Sequence, residues 1–135
     1  MNWILKTRLK MEDQYKRAVS LLNGQLYQHQ KEGLSWLLSM ENLSKGPKGG
    51  FLCDEMGLGK SIQMISVILG NVKKNTLIVV PKSIVTQWKN EIAKFAPSLN
   101  VFIYDGPDRT QDPDDLLKSD ITIAPYSLLT EDAMM

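Results

Sequence analysis

"LCDEMGLGKS", residues 52–61, is the stretch on which the reading of this chain turns. An acidic pair closing an apolar run suits a strand end that organises a magnesium ion. Gly-Leu-Gly-Lys-Ser suits a loop that wraps a phosphate, and the neighbourhood favours this second reading. Upstream lie the breaker "SKGPKGG" (44–50) and the short apolar run "FLC" (51–53), which reads as a strand. Downstream, "SIQMISVILG" places Ile62, Ile65 and Leu69 on one helical face. A strand, a glycine turn and a helix starting at Lys60-Ser61 bring free backbone amides and the positive end of a helix dipole to face an anion. Gly57 and Gly59 let the backbone approach phosphate oxygens. Lys60 is the expected catalytic cation, reaching the β and γ phosphates, and the Ser61 hydroxyl the expected magnesium ligand. The general pattern G-x-x-x-x-G-K-S/T asks for glycine where this chain has Asp54. Asp54 and Glu55 stand too close to Lys60 to be the distant acidic strand end. They are read, with Met56 and Leu58, as part of the phosphate-binding loop.

Working outward, the hydrophobic period switches between helix and strand. Leu9, Met11, Tyr15, Ala18, Val19 and Leu22 recur at roughly helical spacing, with Asn23-Gly24 as the stop. A second helix is predicted over 28–43, with Leu34, Leu37 and Leu38 inward. "TLIVV" (76–80), "VFIY" (101–104) and "ITIA" (121–124) read as strands. "SIVTQWKNEIAKF" puts Ile84, Val85, Trp88, Ile92 and Phe95 on one stripe, a helix from about Ser83 that ends before Pro97. Apolar strands alternating with amphipathic helices imply a parallel sheet covered on both faces, with right-handed crossovers.

Composition narrows the class. A chain of 135 residues with 43% apolar content is long enough for one domain with a real core. It has no 18-residue apolar run, and its start shows no secretory pattern, so an intracellular setting is expected. Cys53 is the single cysteine, which excludes an internal disulfide. The net charge of +1 hides an asymmetry. Residues 1–100 carry 14 basic against 7 acidic side chains and residues 101–135 carry 2 against 8, so a nucleic acid should avoid the acidic end. Bland readings are expected for several residues: Trp36 and Trp88 in the core, Cys53 as a buried small hydrophobe, and 105–120 as a solvated acidic loop.

"LYQHQKEGLSWL", "FLCDEMGLGKS", "LIVVPKSIVTQWKNEIAKF" and "ITIAPYSLL", in that order, resemble the first RecA-like lobe of Swi/Snf-type ATPases, helicase-like superfamily-two motors that remodel chromatin and related protein–DNA complexes. The resemblance covers about residues 25–130, and in that family the loop itself reads D-E-M-G-L-G-K-S/T, so Asp54 is the expected residue. The implied fold is α/β: a parallel sheet flanked by helices, an incomplete RecA-like phosphate-loop lobe over 25–135, preceded by an N-terminal helical extension over 1–24.

The same resemblance implies roles. Gln30 is similar to the glutamine that recognises adenine through its amide, and His29 beside it frames the base. Gly57, Gly59, Lys60 and Ser61 take the ATP and magnesium roles already argued. Pro81, Lys82 and Ser83 are similar to a segment that contacts the DNA phosphate backbone, and Tyr126 belongs to a second such motif. There the family favours threonine before the tyrosine, and this chain has Pro125. The implied partners are double-stranded DNA and a second RecA-like lobe in cis or trans, with no membrane. The implied location is the nucleus for a eukaryotic or nucleus-targeted viral protein and otherwise the cytoplasm. The family's D-E-x-H motif and second lobe are expected beyond residue 135, so this stretch alone should bind ATP weakly and turn over little. Other readings stay open: a non-catalytic nucleotide- or DNA-binding module or a truncated gene product acting with another chain, and a small phosphate-loop kinase.

Overall fold

The computed structural model describes residues 3–43, 45–53, 59–71, 75–106 and 112–128. The chain forms two compact units, Met1–Val72 and Lys73–Met135.

The first unit is helical. Helix α1 spans Trp3–Leu21, α2 spans Gln28–Glu41 and α3 spans Lys60–Gly70. Leu34, Leu37 and Leu38 of α2 are buried, as the heptad-like spacing predicts. Helix α3 buries Ile62, Ile65, Val67 and Leu69 together with Gln63, Ser66 and Gly70, so it is enclosed nearly all round. Ser66 satisfies its hydroxyl by donating to the Ile62 carbonyl at 2.7 Å.

Helix α1 buries only part of the stripe its apolar residues suggest, Ala18 with Leu22 just beyond its end. Leu9 and Val19 are exposed, and the helix buries Gln14 and Ala18. The reason is a polar junction among the three helices. Gln14 Nε2 donates to Asn71 Oδ1 (3.3 Å), Asn42 Nδ2 donates to Gln14 Oε1 (2.8 Å) and to the Leu38 carbonyl (2.7 Å), and Asn71 Nδ2 donates to Glu41. A satisfied amide can occupy an interior position that an unsatisfied one cannot. Arg17 adds a bond from Nε to the Leu69 carbonyl (3.2 Å). Gly70 lets the two backbones meet, because a methyl there would overlap the Gln14 carbonyl and lie 3.1 Å from the Ala18 Cβ.

The run 51–53, expected as a strand, is irregular, with Phe51 and Cys53 exposed. Three apolar residues have little strand character without a partner to pair with. Trp36 is likewise 40% exposed rather than in the core, its ring lying against Gly50.

The second unit is a three-stranded parallel sheet of β1 (Thr76–Val80), β2 (Val101–Ile103) and β3 (Ile121–Pro125) in the order β1-β3-β2. Helix α4 (Val85–Phe95), entered through a 3-10 turn at Lys82–Ile84, packs against β3 through a stripe in which Val85 and Ile92 are buried. Every residue of β3 is buried, as a central parallel strand requires. Edge strand β1 alternates instead, and Leu77 and Val79 are exposed, so the expectation of a sheet covered on both faces does not hold for β1. The acidic stretch is not all loop. Helix α5 (Pro113–Leu117) forms within it, its start capped by Asp112, which accepts from the Asp114 N–H at 3.0 Å. Among the described residues no helix is long and apolar enough to cross a membrane.

Gly70→Val should lower unfolding stability by about 1–3 kcal/mol in urea titration, because the added side chain drives α1 off α3. A control at exposed Lys10→Ala should stay within about 0.5 kcal/mol.

Candidate functional site

Helix α3 begins where the sequence places it. Gly59 is its N-cap, in the left-handed region at φ 78° and ψ 50°, a conformation that glycine alone adopts without penalty. The turn delivers Lys60 and Ser61, both half-buried, as the first two residues of the helix. Gly59 has no side chain to cap the helix, so its first turn presents backbone N–H groups. Asp54, Glu55, Met56, Gly57 and Leu58 lie outside the described residues.

Gln30 sits at the start of α2 and is only 5% exposed. Its Oε1 accepts the Tyr27 N–H at 2.9 Å, closing the first turn of α2. Its Nε2 lies against Gly59, where a methyl on the glycine would overlap it. The residue expected to read a base is thus in direct contact with the residue that turns the chain into α3. His29 is exposed, and its ring stacks on Tyr27 with centroids 6.1 Å apart and planes inclined by 14°.

The second unit gathers the other candidates. Strands β1 and β3 are parallel neighbours in the register Val80↔Pro125, so the residues that follow them emerge at the same end of the sheet. Pro81, Lys82 and Ser83 continue from β1, and Tyr126 continues from β3; all four are exposed. Strand β2 runs the same way and ends two residues short of that level, through Ile103↔Ile123 and the bond from Tyr104 N–H to the Ile123 carbonyl at 2.8 Å. It brings Asp105, whose Oδ1 lies 3.9 Å from Lys82 Nζ and accepts the Gly106 N–H at 2.8 Å. The carboxyl ends of parallel strands are where open α/β sheets place their ligands.

The family model described as SNF2-related domain matches residues 29–135. The chain belongs to this family. It is similar to the nuclear protein STH1/NPS1 of Saccharomyces cerevisiae, 46% identical over 96 residues, which is 67% of this chain and 7% of the yeast protein. It is 34% identical over 128 residues to an uncharacterized ATP-dependent helicase of Mycoplasma pneumoniae, covering 90% of this chain and 12% of that protein. The Sulfolobus solfataricus SWI2/SNF2 ATPase core in complex with dsDNA superposes with a TM-score of 0.70 at 32% identity, over 81% of this chain and 23% of the archaeal one. The chain therefore has the Swi/Snf-type RecA-like fold, and spans a small part of the relatives it matches.

Within this SNF2-related chain, sequence reasoning missed two residues. Gln63 is wholly buried beneath the start of α3, and Gly33 faces it from α2. The signal was present: an isolated glycine inside a helical pattern costs about 1 kcal/mol against alanine and asks for a packing reason.

Two variants of Gln30 separate its duties. Gln30→Ala should destabilise the chain by about 0.5–2 kcal/mol through loss of the closure at Tyr27. Gln30→Glu keeps an acceptor for that amide at a helix start but buries a carboxylate, and should lose less stability than Gln30→Ala in the same urea titration.

Proposed function

We propose that this chain is the ATP-binding N-terminal part of a Swi/Snf-like, DNA-dependent ATPase that moves along duplex DNA and remodels protein–DNA complexes. The reading rests on one observation above the rest: a left-handed glycine at the start of α3, with Lys60 and Ser61 following it half-buried, in a chain of the SNF2-related family.

The residues present fit a magnesium triphosphate. The bare backbone of Gly59 leaves room for an anion to approach the amides of the first turn. Lys60 neutralises charge on the β and γ phosphates, and the Ser61 hydroxyl would hold the magnesium ion, which when bound shields the phosphate oxygens from one another. Asp54 to Leu58 complete the loop in this reading. Gln30 reads adenine through its amide, with His29 framing the base.

Pro81, Lys82, Ser83 and Tyr126 then contact the phosphate backbone of duplex DNA from the carboxyl end of the sheet. Such contacts position the duplex without reading its sequence. The dsDNA-bound archaeal ATPase core supports this partner. The single Asp-Glu pair of residues 1–135 lies in the phosphate loop. The carboxylate that orients the attacking water, and the arginines that stabilise transferred charge, come in this reading from a later strand and a second lobe. Residues 1–135 alone therefore bind ATP and turn it over little. Closure of the two lobes on ATP, and reopening after hydrolysis, advances the duplex in the complete motor, whose expected setting is the nucleus in a eukaryote.

Calorimetric titration of ATP with magnesium into the wild-type chain and Lys60→Ala should show a loss of about 10- to 100-fold in the variant, the size of a charge-assisted hydrogen bond. Equal affinities sink the proposal. For duplex DNA, Lys82→Ala should lower the slope of log affinity against log salt by about 1. Asp105→Asn, which removes the carboxylate facing Lys82, should strengthen binding by up to about fivefold at low salt.

A further inference from the structure

We infer that Gln63 is a positioning residue that sets adenine selectivity by fixing helix α2 to the start of α3, through Gly33 on one side and Gly59 on the other. The inference rests on the nucleotide-binding reading above and deepens it.

Gln63 is the fourth residue of α3 and is 0% exposed. A glutamine buried this completely needs partners, since an amide stranded in a core costs about 1–3 kcal/mol. The Gly59 carbonyl receives two donors from this one residue: the Gln63 backbone N–H at 3.4 Å and its side-chain Nε2 at 3.5 Å. The side chain thus folds back along its own helix to hold the glycine that starts it.

Its Oε1 points the other way, onto α2. A methyl group built on Gly33 would overlap Gln63 Oε1 and stand 3.0 Å from Cδ, so any side chain at this position would push the Gln63 amide aside. Gly33 has no turn to make and no positive φ to adopt. Its place in mid-helix is explained by the side chain it covers. Three residues earlier on the same face of α2 is Gln30, whose Nε2 lies against Gly59. Gly59 is therefore gripped twice, at its carbonyl by Gln63 and at its α-carbon by Gln30. The base reader and the phosphate grip are locked at one spacing, with Gln63 as the spacer.

That spacing matters only for a ligand that spans both. ATP must satisfy Gln30 with its base while its phosphates occupy the start of α3. Inorganic tripolyphosphate engages the phosphate grip alone, and GTP offers the phosphate grip without the matching base edge. Gln63→Met keeps length and volume and removes the amide.

The test is the affinity of the full chain for magnesium-loaded ATP, GTP and tripolyphosphate in wild type, Gln63→Met, Gln30→Ala and the double variant. In Gln63→Met the preference for ATP over GTP should fall about three- to tenfold, the loss of about one hydrogen bond, while tripolyphosphate affinity stays within about twofold. Because Gln63 acts through Gln30, adding Gln63→Met to Gln30→Ala should leave the ATP-to-GTP ratio where Gln30→Ala put it, a non-additivity that general loosening does not produce. Gly33→Ala, which displaces the Gln63 amide without removing it, should reproduce the loss of selectivity and serves if Gln63→Met does not fold. Parallel loss of ATP and tripolyphosphate affinity, an unchanged ATP-to-GTP ratio, or additive effects in the double variant overturns the inference. Failure of the wild-type chain to bind any of the three ligands overturns the nucleotide reading itself.

Discussion

Gly59 carries the constraint on which the rest of the first unit depends. A left-handed residue is needed to turn the chain into α3, and Gln30 occupies the space where any side chain at that position would go. Glycine is thus imposed twice, once by backbone conformation and once by packing. Because α3 is buried nearly all round, the turn cannot drift. Lys60 and Ser61 inherit their place from it.

The second unit positions its residues by a different device. No single contact does the work there; the parallel register does. Pairing Val80 with Pro125 and Ile103 with Ile123 brings the carboxyl ends of three parallel strands to one edge, so that Lys82, Asp105 and Tyr126, far apart in sequence, share one end of the sheet. The central strand β3 is buried along its whole length, and this holds the register, since a slip would expose alternate residues. Pro125 fits this position as the last residue of a strand, where its missing N–H matters least. Lys82 is exposed and Asp105 half-buried, 3.9 Å apart, and their mutual energy is small beside that of a polyanion approaching them.

The sequence by itself determined most of the elements and the order in which they come, missing α5 and expecting a strand at 51–53. Helices α2, α3 and α4 and all three strands follow from apolar spacing, and the helix start at Lys60 follows from a glycine placed just before it, because these are properties of a few consecutive residues. Tertiary structure decided which residues face inward and which touch. Gln14 takes an interior place on α1 beside Ala18 because Asn42 and Asn71 lie within reach of its amide. The run 51–53 stayed irregular, and Trp36 stayed partly in solvent against Gly50. The meeting of Gln30, Gly33, Gly59 and Gln63 depends on how two helices approach, and that distance is set by packing that no local pattern encodes.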